Sequence, residues 1–251
     1  MSLTLSATTP YPTMDERRIS RKLTINIEQN LINVRPVIKG AIKEAAHTLA
    51  DALTGNAMFN CGLENRQKHN EFLYTLFKTM INNASLQSRD FAIQVEGCTG
   101  VLVWTNQPQS FHWNQVFSTA KLASFIGWPA ALKATIHNQE PSGVKIRRKI
   151  MKEYHPCYIT IGYIGVLPSE QRKGFGSALL QHLTDKADGA QQPICVQVND
   201  EGAIKFFEKF GFTTAAHLKE GSVFMIREPV VTINSTPRPL NLRSGRRISD
   251  Y

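Results

Sequence analysis

The residues whose types and spacing could do chemistry lie between Ile164 and Ser177, which read Ile-Gly-Val-Leu-Pro-Ser-Glu-Gln-Arg-Lys-Gly-Phe-Gly-Ser. Gly174 and Gly176 let the backbone turn tightly and approach a ligand closely. A helix opening at these glycines has first-turn N–H groups with no intrahelical acceptor, and its dipole adds positive potential there; both favour an anion. Arg172 and Lys173 add charge that a diphosphate would use and a neutral ligand would not need. The string therefore predicts a phosphate cradle. It completes neither common nucleotide fingerprint: no Gly-Lys-Ser/Thr closes a P-loop, and Leu179 stands where the dinucleotide turn needs its third glycine.

Such a cradle needs a strand before it and a helix after it, and the flanking sequence supplies both. Tyr158 to Val166 is β-branched and aromatic and is closed by Pro168, and Gly174 to Ala187 has a helical pattern. A strand at Ile194 to Val198, a helix from Ala203 to Phe210, and strands opening at Phe212 and at Val223 to Ile226 follow. This alternation predicts an α/β architecture. Upstream, a strand is expected from Leu31 to Val37, then a helix carrying Ile42, Ala45, Ala46, Leu49 and Leu53. A second helix presents Phe72, Leu73, Leu76, Phe77, Met80 and Ile81 as one apolar stripe. Phe91 to Val95 and Val101 to Trp104 flank a turn signal and read as a hairpin; residues 111–153 read as mostly helical, ending in a basic run from Lys145 to Lys152. On the strand before the cradle, alternation places Tyr158, Thr160, Gly162, Ile164 and Val166 on one face.

The 251 residues are 42% hydrophobic and 20% charged, which excludes a chain disordered throughout. Residues 1–20 and 229–251 lack periodicity and are expected to be flexible tails around a single folded domain at 21–228. Part of the net charge of +9 sits at the ends: Arg238, Arg243, Arg246 and Arg247 against Asp250 make the C-terminal tail basic. Cys61, Cys98, Cys157 and Cys195 form no metal-ligand or disulfide spacing, so no metal is expected and a reducing compartment fits best. With no signal sequence and no apolar run long enough to span a bilayer, a cytoplasmic protein that does not engage membrane is expected. A nucleic-acid partner ranks last, because no aromatic residues interleave with the basic runs.

Gln171-Arg-Lys-Gly174-Phe-Gly176 resembles the Q/R-x-x-G-x-G/A motif of the GNAT superfamily of N-acetyltransferases. Ala203-Ile-Lys-Phe-Phe207-Glu-Lys-Phe-Gly211-Phe212 follows at the spacing of that family's A-x-x-[LF]-Y-x-x-x-G-F segment. Within the superfamily the chain is most similar to the puromycin N-acetyltransferase-like group, through Arg35-Pro36, Trp104 and Met225 to Pro229. The likeness spans about residues 31–229 and is strongest from 158 onward.

The resemblance implies a mixed, mostly antiparallel central sheet, splayed between two central strands and covered by helices on both faces. It implies acetyl-CoA as cosubstrate, its pyrophosphate on the turn formed by Gln171, Arg172, Lys173, Gly174, Phe175, Gly176 and Ser177. The pantetheine arm would lie along Ile164, Gly165 and Val166, with Asn199 and Phe207 as further contacts. The family places a tyrosine at position 207 to protonate the departing thiolate, and Phe207 cannot; Asp200 replaces an asparagine common just before that helix. A carboxylate base used on the cofactor strand would fall at Thr160, so Thr160 and Tyr158 become the candidates on the catalytic side. The function expected is acetyl transfer to an amine of a small molecule by direct attack. A non-catalytic acyl-CoA-binding module, a protein N-terminal or lysine acetyltransferase, and a homodimeric assembly remain open. Residues 54–66 and 104–140, including Asn56, Phe59, Asn60, Trp104 and Trp113, are expected to shape the acceptor pocket.

Overall fold

The computed structural model of the chain describes residues 32–55, 66–106, 124, 148–152, 158–218 and 221–230. The expected tail at 1–20, all but the first two residues of the expected tail at 229–251, most of the basic helical stretch 111–153, and the acceptor candidates Asn56, Phe59, Asn60 and Trp113 lie outside these residues. Among the described residues the elements are strand β1 (Val34–Pro36), helices α1 (Ile42–Leu53) and α2 (Arg66–Gln87), strands β2 (Ala92–Val95), β3 (Gly100–Thr105) and β4 (Ile159–Val166), helix α3 (Phe175–Ala190), strand β5 (Ile194–Val198), helix α4 (Glu201–Glu208), and strands β6 (Thr213–His217) and β7 (Val223–Arg227).

The strands form one mixed sheet in the order β1-β2-β3-β4-β5-β7-β6. The β1/β2, β2/β3, β5/β7 and β6/β7 pairs are antiparallel, and β4/β5 is parallel, registered at Ile159–Ile194 and Thr160–Cys195. The last two strands swap their sequence order in the sheet, with β7 central and β6 at the edge. Their burial follows that placement: β7 is buried at every residue, whereas β6 is exposed at all but Ala216.

Two compact units divide the chain. The first holds β1, α1, α2, β2, β3, residues 161–166 of β4 and α3 up to His182. Its core is built by the apolar stripe of α2, Phe72, Leu73, Leu76, Phe77, Met80 and Ile81, together with Ala45, Ala46 and Leu49 of α1. The α2 helix runs six residues beyond the predicted stripe at each end, and His69 and Ala84 in these extensions are buried as well. Adjacent residues of β4 meet different helices. A Cβ on Gly165 would lie 2.8 Å from Ala52 Cβ of α1, while a Cβ on Gly100 would lie 3.3 Å from Val166 Cγ2 and 3.2 Å from Leu179 Cδ1 of α3. Helices thus cover both faces of the strand.

The second unit holds residues 159–160, α3 from Leu183, β5, α4, β6 and β7. Both of its helices end in Schellman motifs. At α3, Gln192 N–H donates to Ala187 O and Gln191 N–H to Asp188 O, with Gln191 in the left-handed region at φ 53°. At α4, Phe212 N–H donates to Phe207 O and Gly211 N–H to Glu208 O, with Gly211 at φ 83°. The apolar contact typical of this motif is Phe207 against Phe212, ring centroids 5.1 Å apart. The x-x-x-G-F pattern seen in the sequence is therefore a helix stop: glycine takes the left-handed position and the phenylalanine after it packs back on the helix.

Candidate active site

The cradle is built by what brackets it. At the end of β4, Gly165 is buried and its backbone rests directly on α1, where no β-carbon would fit without moving Ala52 and Leu49. Leu167 leaves the strand with its N–H donated to Thr99 O at 3.0 Å, and Pro168–Glu170 follow as a single 3-10 turn. Gln171 is extended, and its side-chain amide donates to Val166 O at 3.3 Å. Arg172 and Gly174 both adopt positive φ, 65° and 90°, and α3 starts at the next residue, with Ala178 N–H donating to Gly174 O.

Positive φ costs a non-glycine residue about 1 kcal/mol or more, and such strain collects where a backbone must aim its amides. Arg172 carries it here. Gln171, Arg172, Lys173, Gly174 and Ser177 are exposed, and Phe175 and Gly176 half-buried, so the amides of the first helical turn face an accessible surface. A β-carbon on Gly174 would meet only Ile32 Cδ1, at 3.6 Å. Of the two cations expected to help, Lys173 is already engaged, its Nζ 2.6 Å from Glu170 Oε2. The turn fits a diphosphate: free amides at a helix start, an accessible guanidinium and a glycine that keeps the approach clear.

Tyr158 and Thr160 meet at Cys195. Tyr158 is 2% exposed and packs with Met151, Cys195, Phe224 and Ile226, and Thr160 Oγ1 lies 3.4 Å from Cys195 Sγ. Ile164 and Val166 are half-buried on the same strand. Asn199 is half-buried just before α4. Asp200, in the place of the expected asparagine, is the helix cap: its Oδ2 accepts from Ala203 N–H at 2.8 Å. Phe207 is buried, its ring edge-on to Phe206 and Phe212. Trp104, expected in the acceptor pocket, is buried on β3 with its ring against Phe91, centroids 4.6 Å apart.

Three groups around these elements were not legible in the sequence. Tyr163 of β4 sits edge-on to Phe77 at 5.2 Å, and desolvation pushes its phenol above the usual range, so it stays neutral at physiological pH. Asp188 pairs with Arg227; the hydrogen bonds from that guanidinium, against some desolvation, hold its carboxyl below the usual range. Thr48 of α1 donates to Cys98 O in the turn between β2 and β3. A charged pair 39 residues apart and a threonine bonded 50 residues away leave no periodic signal, though Arg227 at the end of an apolar strand was a hint. Among the described residues no cluster of three or more His, Cys, Asp or Glu has the grouping of a metal site, and no helix is long and apolar enough to cross a membrane.

Residues 96–212 match the model of the acetyltransferase (GNAT) family. No curated protein sequence matches the chain. Among solved structures, the chain is similar to a histone acetyltransferase HPA2 and related acetyltransferase from Corynebacterium glutamicum, with 17% identity over 80% of this chain and 98% of that one and a TM-score of 0.54. It is also similar to PH1933 from Pyrococcus horikoshii, at 16% identity over 80% and 99% of the two chains and a TM-score of 0.50. A PaiA N-acetyltransferase from Thermoplasma acidophilum, solved in complex with coenzyme A, aligns at 9% identity over 78% and 98%, with a TM-score of 0.49. At these identities the first two structures show the fold alone, and the family likeness rests on the match of residues 96–212.

Proposed function

With a GNAT acetyltransferase domain at residues 96–212 as premise, we propose that this chain transfers the acetyl group of acetyl-CoA to an amine of a small molecule by direct attack, as a cytoplasmic enzyme of the puromycin N-acetyltransferase-like group. The observation that carries the reading is the turn Gln171–Gly174, where two left-handed residues deliver the backbone into the first turn of α3. We assign residues 21–228 to one functional domain with tails on either side.

In this reading the amides of residues 172–177 and the Arg172 guanidinium hold the diphosphate, and Gln171 keeps the end of β4 and the turn together through Val166 O. The backbone of Ile164, Gly165 and Val166 takes the pantetheine arm, and Val166 N–H donates to the carbonyl oxygen as it gains negative charge. Asn199 and Phe207 complete the contacts. Acetyl-CoA supplies the thioester whose C–S bond breaks as the C–N bond forms. Thr160 and Tyr158 are the candidates on the catalytic side, where a water would relay the amine proton. Phe207 has no proton to give, so solvent protonates the thiolate, a tolerable loss for a leaving group whose solution pKa is about 8.5.

Phe207 also favours a second reading, an acyl-CoA-binding module without turnover. The test is a panel of small primary and secondary amines set beside peptides with free N-termini and lysines, each with acetyl-CoA and with thiol release followed. Release with a small amine supports the proposal. Release with peptides alone moves the acceptor to protein, and acetyl-CoA binding without release from any acceptor selects the module.

A further inference from the structure

The turn between β2 and β3 is held in a conformation its sequence does not favour. Glu96, Gly97 and Cys98 are left-handed in succession, at φ 44°, 64° and 72°, although only one of them is glycine. A run of this kind persists only where its surroundings over-determine it. Thr48 Oγ1 of α1 donates to Cys98 O at 2.6 Å in a buried contact, and Cys98 N–H donates to Gln94 Oε1 at 2.8 Å. The Cys98 thiol faces Ala41 O at 3.7 Å, and Thr99 Oγ1 donates to Glu96 O at 2.6 Å. What this fixes is the next carbonyl along, Thr99 O, which accepts from Leu167 N–H at 3.0 Å. Leu167 is the residue at which β4 turns toward the phosphate cradle. Immediately after it, Gly100 would bring a β-carbon to 3.3 Å from Val166 and 3.2 Å from Leu179, so the turn also lies against both ends of the cradle.

We propose that Thr48 is a positioning residue for acetyl-CoA binding: through Cys98 and Thr99 it sets the place of Leu167 and hence of the turn 168–174. The inference rests on the proposed acetyl-CoA reading. It assigns a role to a side chain that lies in none of the cofactor motifs and ahead of the residues matching the family model. Removing the hydroxyl leaves the buried Cys98 carbonyl without that donor and loosens the left-handed run at its third residue.

Three proteins test this: wild type, Thr48→Val, which keeps the shape and loses the donor, and Thr48→Ser, which keeps the donor. Each is titrated with acetyl-CoA by calorimetry, assayed for KM and kcat with an accepted amine, and followed by hydrogen exchange at the Leu167 amide. Thr48→Val is expected to weaken acetyl-CoA binding and raise its KM about tenfold, with kcat within about twofold, and to speed Leu167 exchange. Thr48→Ser is expected to restore all of these. Equal affinity and equal Leu167 exchange in Thr48→Val overturn the inference, as does a Thr48→Ser protein as impaired as the valine variant, since packing would then be the cause. A folded wild type that binds no acetyl-CoA overturns the acetyl-CoA reading and the inference with it, and is told apart by its silence before any variant is compared.

Discussion

Arg227 grips Asp188 with two parallel hydrogen bonds, Nη1 to Oδ1 and Nη2 to Oδ2, each 2.7 Å long. The same guanidinium donates through Nε to Phe210 O, and the second lone pair of Asp188 Oδ1 takes Val230 N–H at 2.8 Å. One ion pair thus ties the last turn of α3, the stop after α4 and the residues beyond β7. Arg227 is 8% exposed, so the bidentate geometry has to offset its desolvation.

Asp188→Asn keeps the size and removes the charge, leaving the guanidinium buried against a neutral amide. The variant should lose about 2–4 kcal/mol of stability to urea denaturation. The pH dependence follows from the sign of the shift. The Asp188 carboxyl is held below its usual value in the folded protein, so its contribution is complete above the unfolded value near about 3.9 and fades as pH falls through the lower folded value. The wild type should therefore lose its advantage over Asp188→Asn below about pH 4, and unchanged acid curves would refute the assignment.

Gly165 is where α1 touches the backbone of β4, and a methyl there would sit 2.8 Å from Ala52 Cβ and 3.0 Å from Leu49 Cδ2. Gly165→Ala should raise the Kd for acetyl-CoA several-fold and cost about 1–3 kcal/mol of stability, as overpacked cores do. Pairing it with Ala52→Gly removes the closer of the two contacts and leaves the one to Leu49, so a double-mutant cycle should return part of the lost affinity, beyond the helix cost of about 1 kcal/mol for the new glycine. Additive losses would show that the contact is not the cause.

Phe207 stands where the resemblance to the GNAT superfamily would place a phenol. Its ring already closes the stop of α4 against Phe212, so a tyrosine there keeps the packing and adds a hydroxyl at the ring's far end. Phe207→Tyr is expected to raise kcat by up to about tenfold at saturating amine, with the gain fading as pH rises past the thiol's pKa toward the phenol's usual value of about 10. A kcat unchanged in a variant of wild-type stability would mean that thiolate protonation does not limit turnover.

Much of this arrangement is legible along the chain, because β4, the turn and the start of α3 are contiguous and their chemistry is local. Gly174, Gly176 and the strand before them carry their own signals of turn, helix start and alternation. The helix-stop role of Gly211 and Phe212 is local too, although in the sequence it stands out only as part of a family motif. The contacts that hold the cradle in place are another matter. Thr48 to Cys98, Leu167 to Thr99 and Gly165 to Ala52 join segments far apart in sequence, and neither a threonine inside a helix nor a glycine inside a strand announces its partner. Alternation also placed Tyr158 on the face of Val166 without revealing that its ring is spent in a core with Phe224 and Ile226.

The central claim is that the turn at 171–177 binds acetyl-CoA, and calorimetric titration of the wild type and of Gly174→Glu addresses it most directly. At φ 90°, glycine is the residue this position accepts, and a carboxylate there would both crowd and repel a diphosphate. With both proteins confirmed as folded by circular dichroism, the account predicts micromolar binding in the wild type and none in the variant. A folded wild type that takes up no heat, or a Gly174→Glu protein that binds as well as the wild type, would contradict it.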